Sequence, residues 1–329
     1  MAEVKWVKGN AQEIGRPDHQ SIPSVVTIGN FDGVHRGHQE LFQRACSRAR
    51  EIGGRAVVFT FRPHPRAVLQ PEVPLDLLLT YDEKLEVISR LGVDGVVEEP
   101  FSREFSTLDP PHFFREWILK RLNTKEVIVG YDFKFGRERS GSLESLRAEC
   151  EAAGVTLHVI SPFDWKGERV SSSLIRTLLK SAVPGALTHA ADLLSRPYFY
   201  RGIVRRGDGR GHQLGFPTAN LQVDNKLLLP RGVYVTQAID TRTGESYPSV
   251  TNFGVRPTFV ESKLGVKPVA VVECHLLDVT RDLYGSPLEV RFLEFLRPEK
   301  KFEGVSSLLT QIQLDVDSAR KWFATHSSP

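Results

Sequence analysis

Cysteine is scarce in this 329-residue chain, limited to Cys46, Cys150 and Cys274, with no C-x-x-C pair among them. So sparse and odd a set argues against a disulfide framework and fits a reducing compartment. Long apolar runs are missing as well. The opening MAEVKWVKGN lacks the apolar core of a signal peptide, and no stretch reaches the ~20 residues of a membrane span. A cytoplasmic protein with no membrane partner is therefore expected. Excess charge is absent too: the net charge is +3 with no long run of Lys and Arg, which gives little reason to expect nucleic acid as a partner. No internal repeat or low-complexity tract occurs. What remains is the composition of an ordinary globular protein, 40% hydrophobic and 25% charged, at a length that favours two domains.

The most informative stretch is Val25 to His38, VVTIGNFDGVHRGH. Four β-favouring residues run into Gly29-Asn30-Phe31-Asp32-Gly33, and a helical pattern begins after His38. A strand, a glycine-broken turn and a helix N-terminus form the place where α/β proteins hold phosphate. Leu41, Phe42, Ala45, Ala49 and Ile52 then recur at helical spacing up to Gly53-Gly54, and Ala56 to Phe61 reads as a buried strand. Thr80 and Glu83 form a capping box ahead of a helix through Leu91, and Asp109-Pro110-Pro111 opens another to about Leu122. With strands at Gly95–Val97, Val127–Gly130 and Val155–Ile160, and a helix over Leu143–Ala153, the pattern predicts a doubly wound, parallel-sheet α/β domain. Helical character continues through Ser171-Ser172-Ser173 and Arg176 to about Leu194.

Near Arg196 the pattern changes. Strands expected around Ile203, Val233–Ala238, Val250–Phe253, Val269–Leu277 and Leu288–Phe292 follow one another without long helices, which predicts a small β-barrel or sandwich. A closing helix begins at about Val305, with Leu309, Ile312, Val316, Ala319 and Phe323 on one stripe.

His35 and His38 flank Gly37 at a spacing that aims both imidazoles the same way. A turn bearing two solvated histidines has the same local sequence, and zinc is disfavoured because no third ligand lies at suitable spacing. The chemical reading is nucleotidyl transfer, in which charge builds on oxygens of an attacked phosphate and catalysis is positioning plus charge stabilisation. Arg176, one turn into a serine-capped helix, offers a guanidinium fork for phosphate, although a capped surface helix with one Arg reads the same way by itself. In the second half, Gly207-Asp-Gly209-Arg210-Gly211 leads into Leu214-Gly-Phe-Pro217-Thr218-Ala-Asn220. It is no Walker A loop. A glycine hairpin with a Pro turn is one reading, and a backbone phosphate cradle beside two neutral oxygen ligands for a hard cation, Thr218 and Asn220, is the other. Glu273 shares a strand face with His275 in an apolar run, as a general base or a rim ion pair.

GNFDGVHRGHQ with the later VSSSLIR is similar to the paired motifs of the nucleotidyltransferase family that includes prokaryotic FAD synthetases, and FTFRPHP and VGYDFKFG resemble that family's flavin-side segments. GDGRGHQLGFPTANL, GVYV, NFGVRPTF, VECHLLD, DLYG and LRPEKKF follow the order found in riboflavin kinases. From about Val25 to Phe323 the chain resembles the bacterial bifunctional riboflavin kinase/FAD synthetases (FMN adenylyltransferases).

The resemblance implies an adenylyltransferase domain over 1–187 and a kinase domain over 188–329, with riboflavin, FMN and FAD as substrates or products, ATP as co-substrate and Mg²⁺ as cofactor. It implies that His35, His38 and Arg176 act on the phosphates in the first half. Gly29, Asn30, Phe31, Asp32, Gly33, Ser171, Ser172 and Ser173 would shape its ATP site, and Phe61, Pro63, Asp132 and Phe133 its flavin side. In the second half it implies Glu273 as base, Gly207, Gly209, Arg210, Gly211 and Pro217 at ATP, and Thr218 and Asn220 at Mg²⁺-ATP. Ser173 stands where the family usually has Thr, His212 at an often basic position, and Asp132 where relatives carry Asn or Asp. The implied partners are small molecules, acting on a monomer or weak homo-oligomer. The rivals are a nucleotidyltransferase for another phosphomonoester with a non-catalytic flavin-binding β-domain, and a non-enzymatic flavin-binding regulator. Retention of His35, His38, the PTAN block and Glu273 argues against both.

Overall fold

The computed structural model describes residues 7–9, 22–206, 211, 214–223, 228–256, 269–279 and 281–326. The chain forms two compact units, Met1–Ser172 and Ser173–Pro329.

In the first unit six parallel strands are formed by β1 (Val7–Gly9), β2 (Ser24–Ile28), β3 (Arg55–Arg62), β4 (Gly95–Pro100), β5 (Thr124–Gly130) and β6 (Thr156–Ile160). They lie in the order β1-β4-β3-β2-β5-β6. From β2 the chain moves outward to β3 and β4, then crosses back to β5 and β6 on the other side. The order thus reverses between β2 and β5, which opens a crevice at their carboxyl ends. Central strands buried on both faces read as continuous apolar runs, and β2 is fully buried along its length. The crossover helix α1 (Arg36–Glu51) seals one side with Leu41, Phe42, Ala45 and Ala49.

Two short helices follow β3, α2 (Pro65–Leu69) and α3 (Tyr81–Ser89), the second started by the expected Thr80–Glu83 capping box. After β4, α4 (Pro110–Phe113) passes into a π-helical stretch, Phe114–Lys120, where an α-helix was expected. Phe114, Ile118 and Leu122 are all fully buried. A spacing of four drifts around a 3.6-residue turn, and the wider i→i+5 winding keeps these residues on the sheet. The unit is completed by α5 (Leu143–Ala153), ended by a left-handed Gly154, and by the hairpin β7 (Asp164–Trp165) and β8 (Glu168–Arg169).

The second unit begins with α6 (Ser172–Leu179, its first residue counted with the first unit) and α7 (Ala186–Leu194). A closed barrel follows from β9 (Tyr198–Arg205), β10 (Ala219–Val223), β11 (Gly232–Asp240), β12 (Ser246–Arg256), β13 (Val269–Leu276) and β14 (Pro287–Pro298), in the order β10-β13-β12-β11-β14-β9. Closure removes the sheet edges. Tyr198, Tyr200, Tyr234, Phe253 and Phe292 fill the interior, each at most 1% exposed. The alternate residues Val233, Val235 and Val250 face outward, where α8 (Val305–His326) covers them with Val316 and Ala319.

Candidate functional site

The turn after β2 sits at the strand-order reversal, so the sheet delivers it to the crevice. Its backbone is held by several side chains. The Phe31 ring is buried edge-on to His38 at 5.3 Å and to Phe42 at 4.9 Å. A Cβ on Gly29 would strike that ring at 2.8 Å, so the ring folds back only because residue 29 is glycine. The Asp32 carboxylate accepts the Leu78 amide at 3.0 and 3.3 Å, bracing the turn from inside. Ser172 Oγ donates to the Asp32 carbonyl at 2.8 Å, tying the start of α6 to the same turn.

His35 and His38 are stacked, their ring centroids 3.6 Å apart with planes inclined by 19°. His35 is the N-cap of α1, in extended backbone, and the first turn carries no acidic residue to offset the positive end of the helix. The Arg36 guanidinium turns away over the Trp165 ring at 3.8 Å. Two ring systems able to donate N–H bonds thus stand at a helix N-terminus, an arrangement suited to anionic oxygens.

A cavity of about 670 Å³ opens beside Asn30. Phe61 and Phe133 line it with Phe101, Phe105 and Phe113, and Phe133 stacks on Phe135 at 5.5 Å. Arg66, Lys134, Arg137 and Arg139 bring positive charge to its wall against one carboxylate, Glu138. Its shape and chemistry suit a flat aromatic ligand bearing an anion. Pro63 and Asp132 are exposed and stand outside the lining. The residues that sequence reasoning missed here are the loop aromatics Phe101 and Phe105 and the basic groups of 134–139. Their only signal was the composition of the segments that leave β4 and β5. Of the helix residues expected to join this turn, Ser171 and Ser172 close the first unit, whereas Ser173 and Arg176 count with the second.

In the barrel, Asn220 of β10 and Asn252 of β12 are both Cα register partners of Glu273 in β13. Partners across an antiparallel pair leave the sheet on one face, so the three polar side chains form a row on the outer wall. His275 braces the segment before β10: its Nδ1 donates to the Pro217 carbonyl at 2.8 Å, and its ring meets Phe216 edge-on at 5.5 Å. Gly211 lies so close to the Phe216 carbonyl that a Cβ would come within 2.5 Å of it, and within 3.3 Å of Thr218 Oγ1. Pro217 and Thr218 also line a cavity of about 240 Å³ with Cys274, Leu283 and Tyr284. Gly207, Gly209, Arg210 and His212 lie outside the described residues.

Comparison with known proteins gives one relationship across the whole length. A family model for FAD synthetase matches residues 18–174 and one for riboflavin kinase matches 194–323. The bifunctional riboflavin kinase/FMN adenylyltransferase of Bacillus subtilis is 34% identical over 94% of this chain and 97% of its own. The protein of the same name from Pseudomonas fluorescens is 37% identical over 93% and 94%. The crystal structure of a Streptococcus pneumoniae protein, described as a macrolide-efflux protein, matches with a TM-score of 0.83 at 31% identity, covering 96% of this chain and 99% of that one. Among the described residues no helix is long and apolar enough to cross a membrane.

Proposed function

Because this chain belongs to the bifunctional riboflavin kinase/FMN adenylyltransferase family, phosphorylating riboflavin to FMN and adenylylating FMN to FAD, we propose that its two chemistries are held apart, adenylyl transfer in residues 1–187 and phosphoryl transfer in 188–329. Two separate polar sites, one at the strand-order reversal and one on the barrel wall, support that division.

In adenylyl transfer an FMN phosphate oxygen attacks the α-phosphorus of ATP, and the bond to the β-phosphate oxygen breaks to release pyrophosphate. Negative charge grows on the nonbridging and leaving oxygens. The stacked His35 and His38 donate N–H bonds to those oxygens, the α1 N-terminus adds its field, and Arg176 with Ser171, Ser172 and Ser173 grips the triphosphate. The turn residues Gly29 to Gly33 keep the backbone open to the nucleotide. The aromatic cavity takes the isoalloxazine, with Phe61 and Phe133 against the ring, Pro63 and Asp132 at its margin, and the basic wall oriented to the FMN phosphate.

In the kinase half Glu273 takes the proton of the riboflavin 5′-hydroxyl, whose oxygen attacks the γ-phosphorus and displaces ADP. The glycine segment through Gly211, with Pro217, covers the phosphates. The Thr218 hydroxyl, the Asn220 amide oxygen and the neighbouring Glu273 are hard oxygen donors, which fits Mg²⁺. Such an ion, held by Thr218 and Asn220, supplies charge neutralisation at the ATP phosphates. This reading places the enzyme in the cytoplasm, acting on small molecules as a monomer or weak homo-oligomer.

The observation that carries the first assignment is the histidine stack at the helix N-terminus. With FMN and Mg²⁺-ATP supplied, pyrophosphate and FAD should appear in equal amounts, and His38→Ala should slow both by about 10²–10³-fold. Wild-type FAD formation by that variant would reject the assignment.

A further inference from the structure

The amide of Gly29 donates to the Phe59 carbonyl at 3.0 Å. Past that bond β2 turns into the histidine loop, while β3 runs on to Arg62 at the aromatic cavity. The two strand ends that carry the two halves of the proposed site therefore diverge. One side chain from a third element spans the gap. Lys84 of α3 is 5% exposed, and its Nζ donates to Thr60 Oγ1 at 2.9 Å and reaches the carbonyls of Asn30 and Phe61 at 3.5 Å each. Thr60 Oγ1 itself donates to the Asn30 carbonyl at 3.2 Å. Asn30 and Phe61 both line the cavity.

We infer that Lys84 is a positioning residue for adenylyl transfer, whose ammonium ties the phosphate turn at Asn30 to the cavity floor at Phe61 and so sets the distance between the reacting phosphates. The inference rests on the assignment of adenylyl transfer to this unit. An ammonium has three donors and no acceptor, and it faces three acceptors here. A neutral amine has two donors. With the Thr60 hydroxyl already committed to Asn30, loss of the proton removes one of the three lysine bonds together with the positive charge that strengthens the other two.

The charged groups around Nζ come from every side. Glu98 of β4 and Asp32 of the turn favour the ammonium, Arg62 of β3 opposes it, and the Tyr81 ring of the lysine's own helix lies 5.7 Å away. Burial is the largest influence and brings the lysine down to about 8. The charged tie is thus complete at pH 7 and weakens through pH 9.

The test is a pH profile of kcat/KM for FAD formation from FMN, which reports groups of the free enzyme. It is run on the full chain with riboflavin phosphorylation as an internal control. For the wild type a fall of about tenfold from pH 7 to pH 9 is expected, the loss of ammonium for a group titrating near 8. Lys84→Met should be slower by about tenfold at pH 7 and flat to pH 9, with its kinase rate unchanged. Lys84→Arg stays charged, so it should recover part of the rate and hold it to pH 9. Replacing a buried charge with an apolar chain of similar length is often neutral or stabilising, and thermal unfolding of each variant checks that the unit is intact. A wild-type rate in Lys84→Met at pH 7, or a fall centred near pH 8 that persists in either variant, overturns the inference. FAD formation that survives His38→Ala defeats the site assignment instead.

Discussion

Between Gly29 and His35 the backbone enters the left-handed region three times, at Phe31 (φ 51°), Gly33 (φ 84°) and Val34 (φ 44°). Such conformations cost on the order of 1–3 kcal/mol each for non-glycine residues and persist only where the surroundings over-determine them. Here they are pinned by the Phe31 ring contacts, the Asp32–Leu78 bonds and the tether from Ser172. A turn fixed before ligand arrives loses no ordering entropy on binding. At Gly33 an added Cβ would stand 2.4 Å from Leu78 Cδ1. Gly33→Ala should therefore destabilise the first unit by about 2 kcal/mol or more, from strain and overpacking together. Thermal unfolding should show that loss, with FAD formation impaired and riboflavin phosphorylation retained. An unchanged transition would contradict the packing described. At this scale the sequence says nothing of Lys84. Nothing local in YDEKLEV says that this lysine is buried, with Thr60 of β3 and Glu98 of β4 beside it. His35 and His38 were legible because strand, turn and helix N-terminus are all local signals.

Among the elements, the barrel strands show where the second unit is sensitive to acid. Glu289 of β14 is 4% exposed and bonded by Arg201 Nε at 2.8 Å and Arg291 Nε at 2.7 Å. Burial pushes its carboxyl up, but the two guanidinium partners outweigh that and hold it below the usual carboxylate range. A depressed carboxyl contributes stability that is present above its unfolded value, about 4.3, and is lost as the pH falls through the folded value. Removing one partner of a buried pair costs about 3–5 kcal/mol, and partial exposure of both arginines reduces that here to about 1–2 kcal/mol. Denaturant titrations should find Glu289→Gln less stable than wild type by that amount at pH 7, with the gap closing below pH 4. A gap constant with pH would show that the ion pair contributes nothing. Element boundaries were legible wherever apolar periodicity was long, as in α1, β3 and α8. Four of the described strands went unread, among them the two-residue partners Asp164–Trp165 and Glu168–Arg169, too short to show any alternation. The short Val7–Gly9 lies on a sheet edge, and Ala219–Val223 follows a Pro-Thr turn whose chemistry resembles a loop. The π-helical winding after Phe113 escaped notice because hydrogen-bond register leaves no separate mark in composition.

At the scale of the whole molecule, the shift from interleaved strands and helices to successive strands near Arg196 announced two architectures, and both are present. The order reversal between β2 and β5 puts the histidine turn at the crevice of the first. Barrel register, which no local pattern encodes, sets Glu273 beside Asn220 and Asn252 in the second. The central claim is that one chain carries two separable reactions linked by FMN. It is tested most directly by following products from riboflavin and Mg²⁺-ATP in wild type, His38→Ala and Glu273→Ala, with FMN supplied to each in a parallel series. Wild type should make FMN and then FAD, and His38→Ala should stop at FMN. Glu273→Ala should lose FMN formation by about 10²–10⁴-fold while still converting supplied FMN to FAD. Loss of both reactions from either single change would contradict the account.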